Sequence, residues 1–349
     1  MTISEFATAI GVSTATVSRA IQGHGRVSPS TRRMVLKRMQ ELGYTPNLNA
    51  QRLVTGQSYL IALQFLGNPD VLSNLFHIEL ARGVQDALQD HGYGVLINAS
   101  AAMLRQWCNS RAIDGVIWVL GNRRDERFVA EVSGPDCPGV IVRDFTAEPI
   151  AHAAAVTVRL DAGATHVARM LVETGHRTIG FIDSKPHDVV YLSFREELQR
   201  RGVELADAYV RIAGTTPEDG ARAMDELLEQ PRRPTALFTR TDGLALGALK
   251  AARNRGLNVP DDLSIVGHDD IPLAAWTDPP LTTVRVDCEQ LARAAIELLL
   301  PLLRTGGGYA DTREVSTSVV WRDSVSAARG RSSEGGEATV GVALHGALE

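Results

Sequence analysis

The segment GVSTATVSR, from Gly11 to Arg19, constrains this chain more than any other stretch. A glycine turn leads to Ser13, an N-cap residue, so a helix starts at Thr14 and presents Thr14, Ala15 and Thr16 in its first turn. Upstream, Ile3, Phe6, Ala7 and Ile10 recur at helical spacing behind Thr2, which predicts a helix over 3–10 that Gly11 breaks. The second helix, to about Gln22, buries Val17 and Ile21, four apart, and turns Ala15, Ser18 and Arg19 outward. Ser28-Pro29 then opens a third helix, with Val35, Leu36, Met39 and Leu42 closing a small core and Gly43 ending it. Two helices around a tight turn, the second with small polar residues outward, are the layout of a helix-turn-helix whose second helix reads the major groove of DNA.

A second element follows at once. In PNLNAQRLVTG, Pro46 to Gly56, Asn47 can cap a short helix in which Leu53 sits one turn after Asn49 and Ala50. A leucine at helical spacing is ordinarily a core residue. This helix, however, is too short to be stable alone and lies between two domains, where little core is available.

Charge separates these elements from the rest. Residues 1–56 carry seven Arg/Lys against two acids, a net +5, whereas the remaining 29 basic and 39 acidic residues give −10. A basic head on an acidic body confines attraction for phosphate to the head. At 349 residues and 44% apolar content the chain buries a large core in more than one domain. No apolar run reaches the length of a membrane span and no charged segment followed by an apolar run opens the chain, so a cytoplasmic protein without a membrane partner is expected. Cys108, Cys137 and Cys288 lie far apart without metal-ligand spacing, which predicts three reduced, packing thiols and no metal or cofactor.

From Tyr59 onward β-rich runs alternate with helical patterns: YLIALQF, a helix from Leu75 to about Asp90, GVLINA, a short helix, GVIWVL, then VIVR, AAVTV, IGFID, ALFT and SIVG. That alternation implies parallel sheets covered on both sides. No G-x-G-x-x-G follows the first strand and no G-x-S-x-G occurs, which disfavours a dinucleotide enzyme or a serine hydrolase. Gly175-His176 reads as a helix C-cap with a structural histidine. Asp269 and Asp270 follow an apolar strand at its carboxyl end, where ligands collect in such sheets. Neighbouring carboxylates on an extended chain point apart and no nucleophile motif accompanies them, so Asp269 is expected to hydrogen-bond a ligand rather than to catalyse. The segment 325–349 turns small and polar and is read as a disordered tail without the leucine heptads of a tetramer.

IDG (Ile113 to Gly115), GHRTIGFI (Gly175 to Ile182), TDGLALG (Thr241 to Gly247), LSIVGHDD (Leu263 to Asp270), PPLTTVRVD (Pro279 to Asp287) and WRDS (Trp321 to Ser324) complete, with the head, an ordered set of motifs. In these the chain resembles the lactose-repressor (LacI) family of bacterial transcription regulators from Thr2 to about Ser324. The resemblance implies an all-α helix-turn-helix head over 1–46, a hinge helix over 47–56, and an α/β body of two doubly wound parallel-sheet lobes over 57–324, like a periplasmic binding protein. The first lobe would span about 57–158 and 286–311, the second about 159–285 and 314–324. A shortened stretch between Asn98 and Asp114 suggests a trimmed helix. The implied function is a sequence-specific regulator, most simply a repressor, that binds double-stranded, pseudo-palindromic operator DNA as a homodimer. A small-molecule effector, a sugar or sugar derivative, would lie between the lobes, and the helix from Leu75 would take part in the dimer interface. A solute-binding protein or a cytoplasmic enzyme on the same body is the alternative.

By the same resemblance Thr14, Ala15 and Arg19 face base edges, with Arg19 the donor pair for a guanine. Thr16, Ser18, Gln22, Thr31 and Asn47 hold phosphates, and Arg26 does either. Ala50 belongs to the hinge contact, and Leu53 wedges a minor-groove base step apart. In the cleft, Phe76 and His77 take the place of an aromatic pair, and Asp269 binds the effector. Relatives commonly have Asp-Arg where this chain has Arg143-Asp144, Asp-Asn at Arg159-Leu160, arginine at Val190 and asparagine at Thr241. Arg143 and Arg159 in the cleft would suit an anionic ligand; paired instead with Asp144 or Asp161, they leave a pocket for a neutral sugar or for nothing.

Overall fold

The computed structural model describes residues 1–22, 27–45, 56–67, 71, 74–144, 149–185, 188–305 and 311–328. The head is three helices, α1 (Ile3–Ile10), α2 (Thr14–Gln22) and α3 (Pro29–Glu41). Thr2 and Glu5 form a reciprocal capping box on α1, and Gly11 ends it in the left-handed conformation. Ser13 accepts the Thr16 amide at 3.1 Å, and Ser28 accepts that of Thr31 at the same distance. Phe6, Ala7, Val17, Ala20 and Val35 fill the core, closed by Tyr44 stacked on Phe6 at 4.4 Å. Leu36 and Leu42, expected in this core, are exposed, as is Ile3. Leu42 is the C-cap residue of α3, and Tyr44 closes the core.

The body is two six-stranded sheets. The first contains β1 (Leu60–Phe65), β2 (Gly94–Ile97), β3 (Gly115–Val119), β4 (Gly139–Arg143), β5 (Ala153–Arg159) and β11 (Thr312–Ser316), in the order β11-β5-β4-β3-β1-β2. The second contains β6 (Ile179–Asp183), β7 (Val210–Ile212), β8 (Ala236–Thr239), β9 (Ser264–Asp269), β10 (Thr282–Arg285) and β12 (Ser318–Val320), in the order β12-β10-β9-β8-β6-β7. Every pairing is parallel except β10 with β12. Helices α4 (Leu75–Gln89), α5 (Ala101–Asn109), α6 (Asp125–Val132) and α11 (Cys288–Thr305) cover the first sheet; α7 (Leu160–Glu173), α8 (Val189–Arg200), α9 (Pro217–Leu228) and α10 (Asp242–Asn254) cover the second. The central strands are buried along nearly their whole length, as doubly covered parallel strands must be.

The chain passes between the lobes three times, after β5, after β10 and between β11 and β12. Glu314 was expected to open the return to the second lobe. Instead β11, through Ser316, pairs in parallel with β5 and edges the first sheet, because Thr312 to Ser316 find free backbone groups there before the chain crosses. At the body's entrance the Asp114 carboxylate accepts the amides of Ser58 and Tyr59 at 2.7 and 2.8 Å, which gives the IDG motif a structural role.

Two expectations fail here. Cys108 on α5 and Cys137 before β4 are joined as a disulfide, because both reach the same core beneath the first sheet; only Cys288 is free. The tail is not wholly without contacts either. Ser326 donates its amide to Ser264 Oγ at 3.1 Å, its carbonyl lies 3.0 Å from His176 Nε2, and Ala328 donates to the Thr174 carbonyl at 2.8 Å. Residues 325–328 therefore belong to the second lobe, and His176 is the structural group that holds them; residues 329–349 lie outside the described part.

Helices α9 and α10 meet backbone to backbone. A Cβ on Gly247 would stand 1.8 Å from the Pro217 carbonyl oxygen, and one on Gly220 would stand 2.2 Å from that of Leu244. Gly247→Ala should force the pair apart and cost roughly 1–3 kcal/mol, read as a lower denaturation midpoint, whereas Gly134→Ala, with nothing within 4 Å, should leave it unchanged. Equal midpoints for the two variants would contradict this packing.

Candidate functional site

The outward face of α2 carries Thr14, Ala15 and Arg19, all exposed, with Thr16 and Ser18 half-buried beside them. Thr16 Oγ1 lies 2.9 Å from Ser13 Oγ and Thr31 Oγ1 2.8 Å from Ser28 Oγ, so both threonine hydroxyls are oriented by the residue that caps their helix. Arg32 Nε donates to the Ala20 carbonyl at 3.2 Å and locks α3 against α2. Arg19 enters no ion pair with another described residue. The side chain of Gln22, and Arg26, Asn47, Ala50 and Leu53 altogether, lie outside the described residues.

Between the lobes lies a cavity of about 530 Å³ at the carboxyl ends of the strands. The first lobe presents mainly apolar side chains, among them Phe65, Phe76, Val119 and Val142. The second lobe presents Ser184, Lys185, Thr215, Arg240, His268 and Asp269. One wall therefore suits a flat or apolar face and the other a hydrogen-bonding edge.

Five of the seven residues expected in the cleft line it: Phe76, His77, Arg143, Thr241 and Asp269. Phe65 and His77 rings pack at 4.4 Å between centroids, so the aromatic group is Phe65 with His77 as much as Phe76 with His77 at 6.1 Å. Thr241 spends its hydroxyl on capping α10, accepting the Leu244 amide at 3.2 Å. Arg143 donates to Glu126 at 2.6 Å rather than to Asp144. Arg159 and Val190 are not there. Arg159 turns away to both oxygens of Asp161, at 3.0 and 2.8 Å, and to Glu314 at 3.4 Å. Val190 is fully buried in the first turn of α8, which Asp188 caps.

Arg240, at the end of β8, is the arginine that the sequence reading missed. Its Nε donates to Asp188 at 2.6 Å. Lys185, after β6, was also missed; its Nζ donates to the Gly121 carbonyl of the first lobe at 3.1 Å, tying the lobes across the cleft. Both follow strands at their carboxyl ends, the same signal that found Asp269.

A model of bacterial regulatory proteins of the lacI family matches residues 2–47, and one of the periplasmic binding protein-like domain matches 168–325. Catabolite control protein A of Priestia megaterium is 30% identical over 331 residues, 92% of this chain and 96% of its own. The HTH-type transcriptional repressor CytR of Escherichia coli (strain K12) is 33% identical over 340 residues, 93% and 96%. The chain belongs to the lacI family. Among solved structures, the transcriptional regulator CelR-cellobiose complex superposes with TM-score 0.67 at 27% identity over 93% of this chain and 99% of that one. The lac repressor dimer bound to operator and the anti-inducer ONPF reaches TM-score 0.75 at 23% identity over 94% and 99%, a likeness of fold. This lacI-family chain is thus a DNA-binding transcription regulator with an effector body. Among the described residues no helix is long and apolar enough to cross a membrane.

Burial dominates the electrostatics of this cleft. It raises Asp269 to about 7, with Arg240 opposing, and lowers His77 to about 4, helped by Lys185. Asp144, which faces Arg240 from the first lobe, is also raised by burial. Burial would lower Arg240, but Asp188, Asp269 and Asp144 together raise it and keep it charged. Asp242, beneath the cleft, is raised well above the carboxylate range by burial and by Asp269, while accepting from Thr283 Oγ1 at 2.5 Å and the Ile271 amide at 2.9 Å.

A carboxyl whose folded pKa is raised stabilises the fold in acid, and the contribution is lost as pH rises through the folded value. The parent-minus-Asp269→Asn difference in unfolding free energy should therefore fall as pH rises from the ordinary aspartate value to about 7 and be level above it. His77 acts with the opposite sign, losing its contribution as pH falls towards about 4, but it is common to both proteins and cancels. Denaturant titrations across this range check the profile; a difference that rises with pH would contradict the assignment.

Proposed function

We propose that the chain is a repressor that binds a pseudo-palindromic operator as a homodimer and yields its grip when a neutral sugar or sugar derivative occupies the cleft. The observation that carries the ligand class is the pairing of the cleft's arginines. Arg143 is engaged by Glu126 and Arg240 by Asp188, while Asp144 and Asp269 face the same space. Lys185, the remaining cation among the described lining residues, is bonded to the Gly121 carbonyl and opposed by Asp144, and Arg159, on which an anionic ligand would have depended, is outside the cavity. An apolar wall opposite a hydrogen-bonding wall suits a saccharide, whose ring faces are apolar and whose edge is hydroxylated. CytR is named a repressor and CelR was solved with cellobiose, which supports both halves of the reading.

In the head, Thr14, Ala15 and Arg19 read bases, while Thr16, Ser18, Gln22, Thr31 and Asn47 hold phosphates and Arg26 serves either purpose. Ala50 and Leu53 act in the minor groove as a hinge contact and a wedge. Helix α4, with Ile78 exposed, supplies part of the dimer contact.

Genomic fragments captured by the full-length protein and sequenced should share a two-fold symmetric site. Arg19→Ala should weaken binding to that site by roughly 1–3 kcal/mol and relax one base position in each half. Capture of fragments with no common sequence would overturn the reading, as would an Arg19→Ala protein with the parent's base preference.

A further inference from the structure

His268, on β9, is completely buried, lines the cleft, and is bonded at one ring nitrogen only. Its Nδ1 lies 3.0 Å from Asp269 Oδ1, whereas Nε2 has no hydrogen-bond partner among the described residues. The ring packs near Phe238, with centroids 6.4 Å apart. A buried polar atom without a partner costs free energy, and in a ligand cavity the missing partner comes from outside the chain.

We infer that His268 is a hydrogen-bond acceptor of the effector site: Asp269 holds the proton on Nδ1, and the bare Nε2 lone pair receives a hydroxyl or N–H of the ligand. The inference rests on the cleft being the effector site, and deepens that reading by fixing which chemistry the ligand presents at one point.

Two lines support the protonation pattern. The ring is neutral, since burial and then Arg240 hold its pKa well below the ordinary value, outweighing Asp188 from the second lobe and Asp144 from the first. Asp269 is ionised above about 7, with Arg240 and Asp242 its charged or titratable neighbours, and an ionised carboxylate only accepts, so the shared proton sits on Nδ1. A metal is not the missing partner of Nε2, because no group of three or more His, Cys, Asp or Glu among the described residues is arranged to hold one.

The consequence for specificity is directional. A ligand oxygen without a hydrogen, such as a carboxylate or phosphate oxygen, would set lone pair against lone pair at Nε2. A sugar hydroxyl or an amide N–H satisfies it. Specificity built on a buried acceptor is steep, because a ligand lacking the donor leaves Nε2 unpaired.

The test uses full-length protein labelled with ¹⁵N-histidine, in weakly alkaline buffer, with the His268 resonances identified by their loss in His268→Gln. Two-bond ¹H–¹⁵N correlations should show a neutral ring protonated on Nδ1 with an aprotic Nε2. A proton on Nε2, or an imidazolium, overturns the assignment. In a second arm cellobiose, D-ribose and D-galactose are titrated singly against the parent, His268→Gln, which keeps an acceptor near the Nε2 position, and His268→Asn, which reaches only the Nδ1 position. For a sugar that binds the parent, His268→Asn should lose at least about tenfold in affinity and His268→Gln should retain most of it. Equal affinities for all three proteins, with melting temperatures preserved, overturn the inference. If none of the sugars binds while the Nδ1–H tautomer is seen, the sugar reading fails and the acceptor assignment stands.

Discussion

The Arg240 guanidinium is the charge around which the cleft is organised. It sits at the end of β8 with little solvent contact, and a buried charge without a partner would cost several kcal/mol. Asp188 supplies the direct partner, and Asp269 and Asp144 add attraction from β9 and from the opposite lobe. Asp188 reaches it because the same residue caps α8, accepting the Tyr191 amide at 2.9 Å, so helix start and charge pair are fixed by one carboxylate. Asp144 contributes only while the lobes are near each other. The electrostatic balance of the site is therefore sensitive to lobe separation, as the Lys185 hydrogen bond to Gly121 also is.

Much of the fold was legible because periodicity and punctuation agree. The bounds of α1 and α2 follow from Thr2, Gly11 and Ser13, and the central strands from apolar runs longer than a half-buried strand would show. What escaped were the edge strands β7, β11 and β12 and the interior β10, whose four residues include two threonines and an arginine. β7, β11 and β12 are short and partly exposed, so their side chains carry no core pattern and their strand character comes from a neighbour's unpaired backbone. The Cys108 and Cys137 pair escaped for a related reason, since a separation of 29 residues says nothing about two positions meeting under a sheet.

In the cleft, Asp269, Thr241, Phe76 and His77 were legible, whereas Arg240 and Lys185, although also at strand ends, were not. Asp269 ends β9 and Thr241 comes just after β8, whereas the resemblance to relatives placed an arginine's role at Val190, a core position here. The arginine on the second wall of this cleft is Arg240. Arg143 faces the cleft as expected, but its partner, Glu126, lies 17 residues away on α6, a tertiary contact that local spacing cannot reveal. His268 was hidden because a histidine inside an apolar strand reads as core until its two ring nitrogens are seen in different surroundings.

Head and cleft form one regulator only if occupancy of one changes the affinity of the other, and such coupling is reciprocal by thermodynamic necessity. The most direct measurement is the affinity of full-length protein for its captured DNA site with and without a saturating cleft ligand, together with the affinity for that ligand with and without DNA. The account predicts that both change by the same factor, within about 5–150-fold. A ligand that occupies the cleft yet leaves DNA affinity unchanged would contradict it.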